Sequence, residues 1–312
     1  MQAKFEKFNE LAEELKLETA QKLSYLDLVT FAQTSKYHRA LFQPLMDVRK
    51  LLHHVTRGEH DVVQAILNQD INLIFKEGKV IDCSGREFEN ASPFEYTLWA
   101  LDKHMWTAMI KCIPSNESGK KVIAQLIAKY NKVNAIGVTY RLQGKTITEK
   151  HFDFNNTIIK ELQTQVDSIN APGEKNWDAI DNQWRKGVGG AQKQLPMHIV
   201  HEYCSNEPFY PVPKFTFRPK SSKQFYNWIT KKVEKWFSVD SKLSVDFAIA
   251  KTIPLWGRVQ PEVLVSGSRT AAPINLVAMT TLYKVRTNDF LHLKSQLKDQ
   301  VTPENHHQVS RI

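Results

Sequence analysis

The chain has 312 residues, 42% of them apolar, and 42 Lys and Arg against 33 Asp and Glu give a formal charge of +9. That length gives room for two or three compact units with a proper core. No window approaches the roughly 20 apolar residues of a membrane span, and the charged, amphipathic start MQAKFEKFNELAEELK is unlike a signal peptide. Cys83, Cys112 and Cys204, odd in number and far apart, suggest neither a disulfide framework nor a four-ligand zinc site. A soluble protein of a reducing cytosol is expected.

In residues 11–45 the apolar spacing predicts three short helices. Leu11 and Leu15 stand at i and i+4, and Leu23, Leu26, Leu28, Val29 and Phe31 follow too densely for a solvated helix. Ser24 and Asp27 can each cap a helix that opens near Leu28, and Pro44 is expected to close the block. Three such helices cannot bury all of this apolar surface among themselves, so another surface must cover it.

Residues 51–74 read as a helix pair, with Gly58 at the reversal and Val62, Val63, Ile66 and Leu67 on the inner face of the return helix. In FKEGKVIDCSGREFEN, turn signals at Glu77-Gly78 and Ser84-Gly85 alternate with strand-like Phe75, Val80, Ile81 and Phe88, which predicts a β-hairpin. A second helix pair follows, opened by Pro93 and filled by Leu98, Ala100, Leu101, Met105, Trp106, Met109 and Ile110.

Further helices are predicted over 119–133 and 154–169, the latter with an Ile158, Leu162, Val166, Ile169 stripe after an Asn155 cap. Trp177, Ile180 and Trp184 share a later helical face. Pro208, Pro211, Pro213 and Pro219 forbid regular helix in the next stretch. Phe209, Tyr210, Phe215 and Phe217 make it a packed strap rather than a free linker. Helical spacing of Phe225, Trp228, Ile229, Val233 and Trp236 predicts a helix over 223–237. Residues 240–297 read as helices broken at Pro254, Pro261 and Pro273, before a frayed tail at 301–312.

No catalytic constellation is assigned. His198, His201 and Cys204 stand at i, i+3 and i+6 and are the only metal candidates, but no second ligand group completes a tetrahedron, so no metal or cofactor is expected. Cys204 lacks the surroundings of a hydrolase nucleophile. Gly187, Gly189 and Gly190 lack the lysine and the preceding strand of a phosphate loop and read as a tight turn or a close helix contact. From Lys214 to Trp236, basic residues interleave with aromatics, as in single-strand binders. Helical spacing instead assigns most of those aromatics to a core and the lysines to its solvated side, so binding to nucleic acid or to an anionic membrane surface is kept only as an alternative.

The order Leu-Ser-x-x-Asp-Leu, an apolar helix, then Thr-Ser-Lys-x-x-Arg-x-Leu, carried by Leu23 to Leu41, resembles the F-box, the three-helix module that docks on the Skp adaptor of cullin ubiquitin ligases. The proline usual at the start of its first helix is missing from Glu10-Leu11-Ala12. Residues 51–74 and 91–114 resemble ankyrin helix pairs, with Ser92-Pro93-Phe94 where those repeats carry Thr-Pro-Leu. The spacing between them exceeds the ankyrin period of about 33 residues, and the hairpin supplies the excess. This order, with SGREFENASPFEYTLWALDKHMW and VGGAQKQLPMHIVHEYC, resembles translocated, type IV secreted effectors of intracellular bacteria of the Legionella type.

The resemblances imply a mainly α protein divided into an F-box-like module over 1–46, ankyrin-like pairs with an inserted hairpin over 47–114, a helical target-binding region over 115–300 and a tail over 301–312. They imply a non-enzymatic substrate adaptor in the host cytosol, binding the host Skp adaptor and presenting an unidentified host protein for ubiquitylation. The adaptor-facing residues expected are Leu11, Leu15, Leu23, Leu26, Leu28 and Phe31, with Asp27 fixing the helix start. The alternatives are an enzyme with its site in the C-terminal half and an interaction protein using the ankyrin-like groove.

Overall fold

A computed structural model describes residues 7–227, 229–238, 240–251, 262–264 and 269–300. The fold is mainly α, with two small four-stranded sheets. After a 3-10 turn at Lys7–Glu10 come α1 (Glu13–Lys22), α2 (Tyr25–Ala32), α3 (Lys36–Thr56) and α4 (His60–Gln69). Ser24 caps α2 by accepting from the Asp27 N–H at 3.1 Å, and Ser35 caps α3 by accepting from the His38 N–H at 3.0 Å. Asp27 does not cap: it sits in the first turn of α2 and accepts from the Ser24 hydroxyl at 2.7 Å.

Pro44 does not close the first block. It lies inside the 21-residue α3, where both it and Ala40, whose carbonyl loses its N–H partner, face solvent. Two cores meet along this helix. A small one gathers Ala20, Leu28, Ala32 and Phe42 with half-buried Phe8, Leu23, Phe31 and Met46. The large core begins at Val48 and runs on to Leu297.

The expected reversal at Gly58 is present, with φ +66°. On α4, Val63 and Leu67 are buried, whereas Val62, expected on the inner face, is exposed. The hairpin follows as β1 (Gly78–Ile81) and β2 (Glu87–Ala91), and the second helix pair as α5 (Pro93–Ala100) and α6 (Lys103–Ile110). A capping box, Ser92 with Glu95, opens α5, and Leu101, in a left-handed conformation, turns the chain into α6.

After α7 (Glu117–Ala135) the chain forms an unpredicted hairpin, β3 (Val138–Leu142) and β4 (Lys145–Glu149), turned by Gln143 and Gly144, both with positive φ. The first sheet has the order β1-β2-β3-β4, all antiparallel, so β1 and β4 are its edges. Arg86 ties this sheet to the C-terminal half: its guanidinium pairs with Asp82 at 3.3 Å, donates to the Gln194 carbonyl at 2.7 Å and lies over Trp99 and Phe152.

The C-terminal half holds α8 (Lys160–Asn170), α9 (Trp177–Asn182), α10 (Gly189–Lys193) and α11 (Met197–Tyr203), with wide turns at Asn155–Ile159 and Gln183–Val188. The first wide turn is capped by Asp153, which accepts from the Asn156 N–H at 2.9 Å, and not by Asn155. The glycines lie within the second wide turn and α10, not in a tight turn. A Cβ on Gly189 would stand 2.9 Å from the Phe247 carbonyl oxygen, which is the close contact that its lack of side chain permits.

The strap buries Phe209 and Phe215 and leaves Tyr210 and Phe217 exposed. The described residues of 223–237 are not helical. They form a hairpin of β5 (Gln224–Asn227) and β6 (Lys232–Lys235), because the Asn227 side chain accepts from the Ile229 and Thr230 N–H groups and turns the chain. Phe225 and Trp236 are buried, Ile229 and Val233 exposed, and Trp228 lies outside the described residues. The second sheet is completed by β7 (Ala248–Ala250) and β8 (Glu262–Leu264) in the order β6-β5-β8-β7, with β5 and β8 parallel.

Pro254, Pro261 and the tail 301–312 lie outside the described residues. Pro273 sits in the first turn of α12 (Ala271–Asp299) and does not break it. This helix packs on α6, α7 and α8. No described helix is long and apolar enough to cross a membrane.

Candidate functional site

The N-terminal helices present one apolar surface and hide another. Leu26 is 75% exposed and Leu15 49%, and Leu11 and Tyr25 are also open to solvent. Leu23 and Phe31 are half-buried, and Asp27 is exposed. Leu28 is fully buried beside Ala20, Ala32 and Phe42, so it holds the module together and cannot face a partner. Three of the six expected apolar contact residues, Leu23, Leu28 and Phe31, are thus drawn wholly or partly out of that surface, and Leu11, Leu15 and Leu26 remain on it.

The module is held to the rest by Arg49 of α3. This buried guanidinium donates to the carbonyls of Leu23 at 2.8 Å, Gln21 at 2.7 Å and Ala20 at 3.3 Å. Those carbonyls lie at the C-terminus of α1, where the Ala20 carbonyl also accepts from the Leu23 N–H at 3.2 Å and where a cation meets the negative end of the helix dipole.

In the C-terminal half the polar chemistry is interior. Arg286 of α12 pairs with Glu202 of α11 at 3.1 Å, donates to the Phe215 carbonyl at 2.8 Å and contacts His104 Nε2 at 2.9 Å. Lys251 donates to the Glu202 carbonyl at 2.6 Å and to Ser205 Oγ at 2.7 Å, and its ammonium lies over the Phe209 ring. Burial pushes the Glu202 carboxyl up to about 7, against the pull of Arg286 and Lys251. It pushes the Lys251 ammonium down to about 7, against the pull of Glu202. A cavity of about 550 Å³ beside Glu202 is walled by the strap residues Lys214, Phe215 and Arg218.

His198, His201 and Cys204 are all buried on or next to α11 and do not line that cavity. His198 Nε2 meets the Ala100 carbonyl at 2.6 Å, and burial holds its imidazole well below the ordinary range. Burial, followed by Lys223 and Arg218, brings His201 down to about 3. Burial raises the Cys204 thiol to about 12, which leaves it protonated and poorly nucleophilic at neutral pH. Among the described residues no group of three or more His, Cys, Asp and Glu is placed to hold a metal ion. Glu202, Arg286 and Lys251 were not legible as a group, since Glu202 and Arg286 stand 84 residues apart with no motif around them.

The polar interior coincides with a family region: residues 157–297 match the CBUA0006 C-terminal domain. No solved structure matches the chain. The chain is 32% identical over 263 residues to the uncharacterized protein CBUA0006 of Coxiella burnetii (strain RSA 493 / Nine Mile phase I), an alignment covering 78% of this chain and 74% of that protein. The chain therefore belongs to the CBUA0006 family.

Proposed function

We propose that the chain is an F-box-type substrate adaptor, which docks on the host Skp adaptor of a cullin-RING ubiquitin ligase and presents a host protein for ubiquitylation. The observation that carries this reading is the exposed group of Leu11, Leu15, Tyr25 and Leu26 on an N-terminal module with a core of its own. A module that is already folded can spend such residues on a partner. Each contributes about 1.5–3 kcal/mol when buried, before ordering costs. The F-box resemblance of Leu23 to Leu41 names the partner, and the helix pairs α3–α4 and α5–α6 supply the kind of scaffold on which a target is held. The reading places the protein in the host cytosol, as its resemblance to translocated effectors implies.

Reconstitution tests the reading. The chain is incubated with purified Skp adaptor, cullin, RING subunit and host lysate, and ubiquitin conjugates are followed with wild type and with Leu15→Glu/Leu26→Glu. Conjugates that depend on the wild-type surface support it, and identical conjugate patterns from both chains contradict it.

A further inference from the structure

A groove of about 690 Å³ separates the N-terminal module from the first hairpin, walled by Lys22, Tyr25, Lys50, Arg57, Lys79 and Ile81. Its charge is unbalanced. The carboxylate on its rim, Glu87, is held by Arg141 at 2.9 Å, and Glu89 pairs with Lys79 at 3.0 Å. Lys22, Lys50 and Arg57 make no ion pair among the described residues. Lys22 and Lys50 are exposed.

The groove also runs along a sheet edge. β1 pairs with β2 on one side and among the described residues has no strand on the other, and its Lys79, Val80 and Ile81 line the groove. An edge strand keeps unpaired N–H and C=O groups that an extended segment can satisfy. Half-exposed Ile81 and Tyr25 add an apolar strip beside those groups.

We propose that this groove binds an acidic, extended peptide segment of a protein partner, which adds to β1 as a further strand of the first sheet. Main-chain hydrogen bonds along β1 supply registry, alternate apolar side chains meet Tyr25 and Ile81, and the carboxylates between them face Lys22, Lys50 and Arg57. A single-stranded nucleic acid satisfies the cations but leaves the strand edge unpaired. The site shares Tyr25 with the exposed N-terminal group but none of Leu11, Leu15 and Leu26, and the variants that test each surface leave Tyr25 in place, so its failure and the failure of the Skp-binding reading are separable.

The test uses the full chain and a fluorescent acetylated nonapeptide of alternating glutamate and valine, followed by polarisation. Two further peptides carry backbone N-methylation on one or the other alternate set of amides, and an oligothymidylate of equal charge is the nucleic-acid probe. Saturable binding is expected, weakened about tenfold by Lys22→Glu/Lys50→Glu and by raising salt from roughly 0.05 to 0.5 M. It is abolished by at least one N-methylation set. Both lysines are solvated, so the variant keeps the wild-type melting temperature, which is checked first. If it does not, Lys22→Gln/Lys50→Gln takes its place with the same direction expected. Absent peptide binding, equal binding of both N-methylated peptides, or tighter, variant-sensitive binding of the oligothymidylate overturns the proposal.

Discussion

Arg286 of α12 reaches Glu202 of α11 at 3.1 Å with both side chains almost wholly removed from solvent, and the same guanidinium bonds the strap through the Phe215 carbonyl. One residue therefore joins the last helix, the α11 helix and the strap. A buried charge left without its partner is costly, whereas the intact pair is close to neutral. Arg286→Met is expected to lower unfolding stability by about 3–5 kcal/mol, since it strands Glu202 and the Phe215 carbonyl. Urea denaturation measures this, and a loss below about 1 kcal/mol would show that the junction is held by apolar packing instead.

Acid should destabilise the protein before most carboxylates titrate. His60 is brought down to about 4, and His104 and His201 to about 3, chiefly by burial, with neighbouring cations adding to it. Their folded values lie below the unfolded value of about 6.5, so below that pH the unfolded chain takes up protons that the folded chain refuses, and stability falls as pH falls. Glu202, raised to about 7, and Asp102, raised to about 6, act in the opposite direction over part of the same window. The histidines outnumber them, so the melting temperature is expected to drop between pH 6.5 and 4.5. A flat or rising profile there would refute the buried, neutral state of the imidazoles.

Gly58 turns α3 into α4 with φ +66°, and a Cβ there would stand 2.7 Å from His201 Nε2 and 3.1 Å from Met197 Cγ. Gly58→Ala therefore carries both a backbone and a packing penalty, about 1–3 kcal/mol together. Thermal melts of the variant check this, and an unchanged midpoint would mean that the helix pair and α11 are not in contact at this turn.

Much of the helical order was legible because apolar residues recur at helical spacing, as in Leu98, Met105, Trp106 and Met109, all buried. The first hairpin was legible from its glycine turns. The second was not, since Gln143-Gly144 is a weaker hairpin signal than Asn-Gly or Asp-Gly. The hairpin at 224–235 imitated a helix because Phe225, Ile229, Val233 and Trp236 happen to fall at i, i+4, i+8 and i+11, although only the first and last are buried. At the candidate site, apolar character marked the right module without separating its faces. Leu28 and Leu26 are two residues apart, and which one packs inward depends on where Phe42 of α3 arrives, a distant contact that local spacing does not encode.

Arg49 is expected to govern how firmly the module is attached. Arg49→Ala removes the guanidinium that donates to the Leu23 and Gln21 carbonyls and takes one of the two donors of the Ala20 carbonyl, which costs about 1–3 kcal/mol locally. Amide hydrogen exchange should show α1 losing protection while α7 and α12 keep theirs. Uniform loss of protection across the chain would mean that the two cores unfold as one.

The adaptor reading is tested most directly by titrating purified Skp adaptor against the isolated chain in a calorimeter, wild type beside Leu15→Glu/Leu26→Glu. Both leucines are exposed, 49% and 75%, so the substitutions leave the small core of Ala20, Leu28, Ala32 and Phe42 intact. The account predicts saturable binding by the wild type, weakened at least about a hundredfold in the double variant at an unchanged melting temperature. No binding by the wild type, or equal binding by both chains, would contradict it.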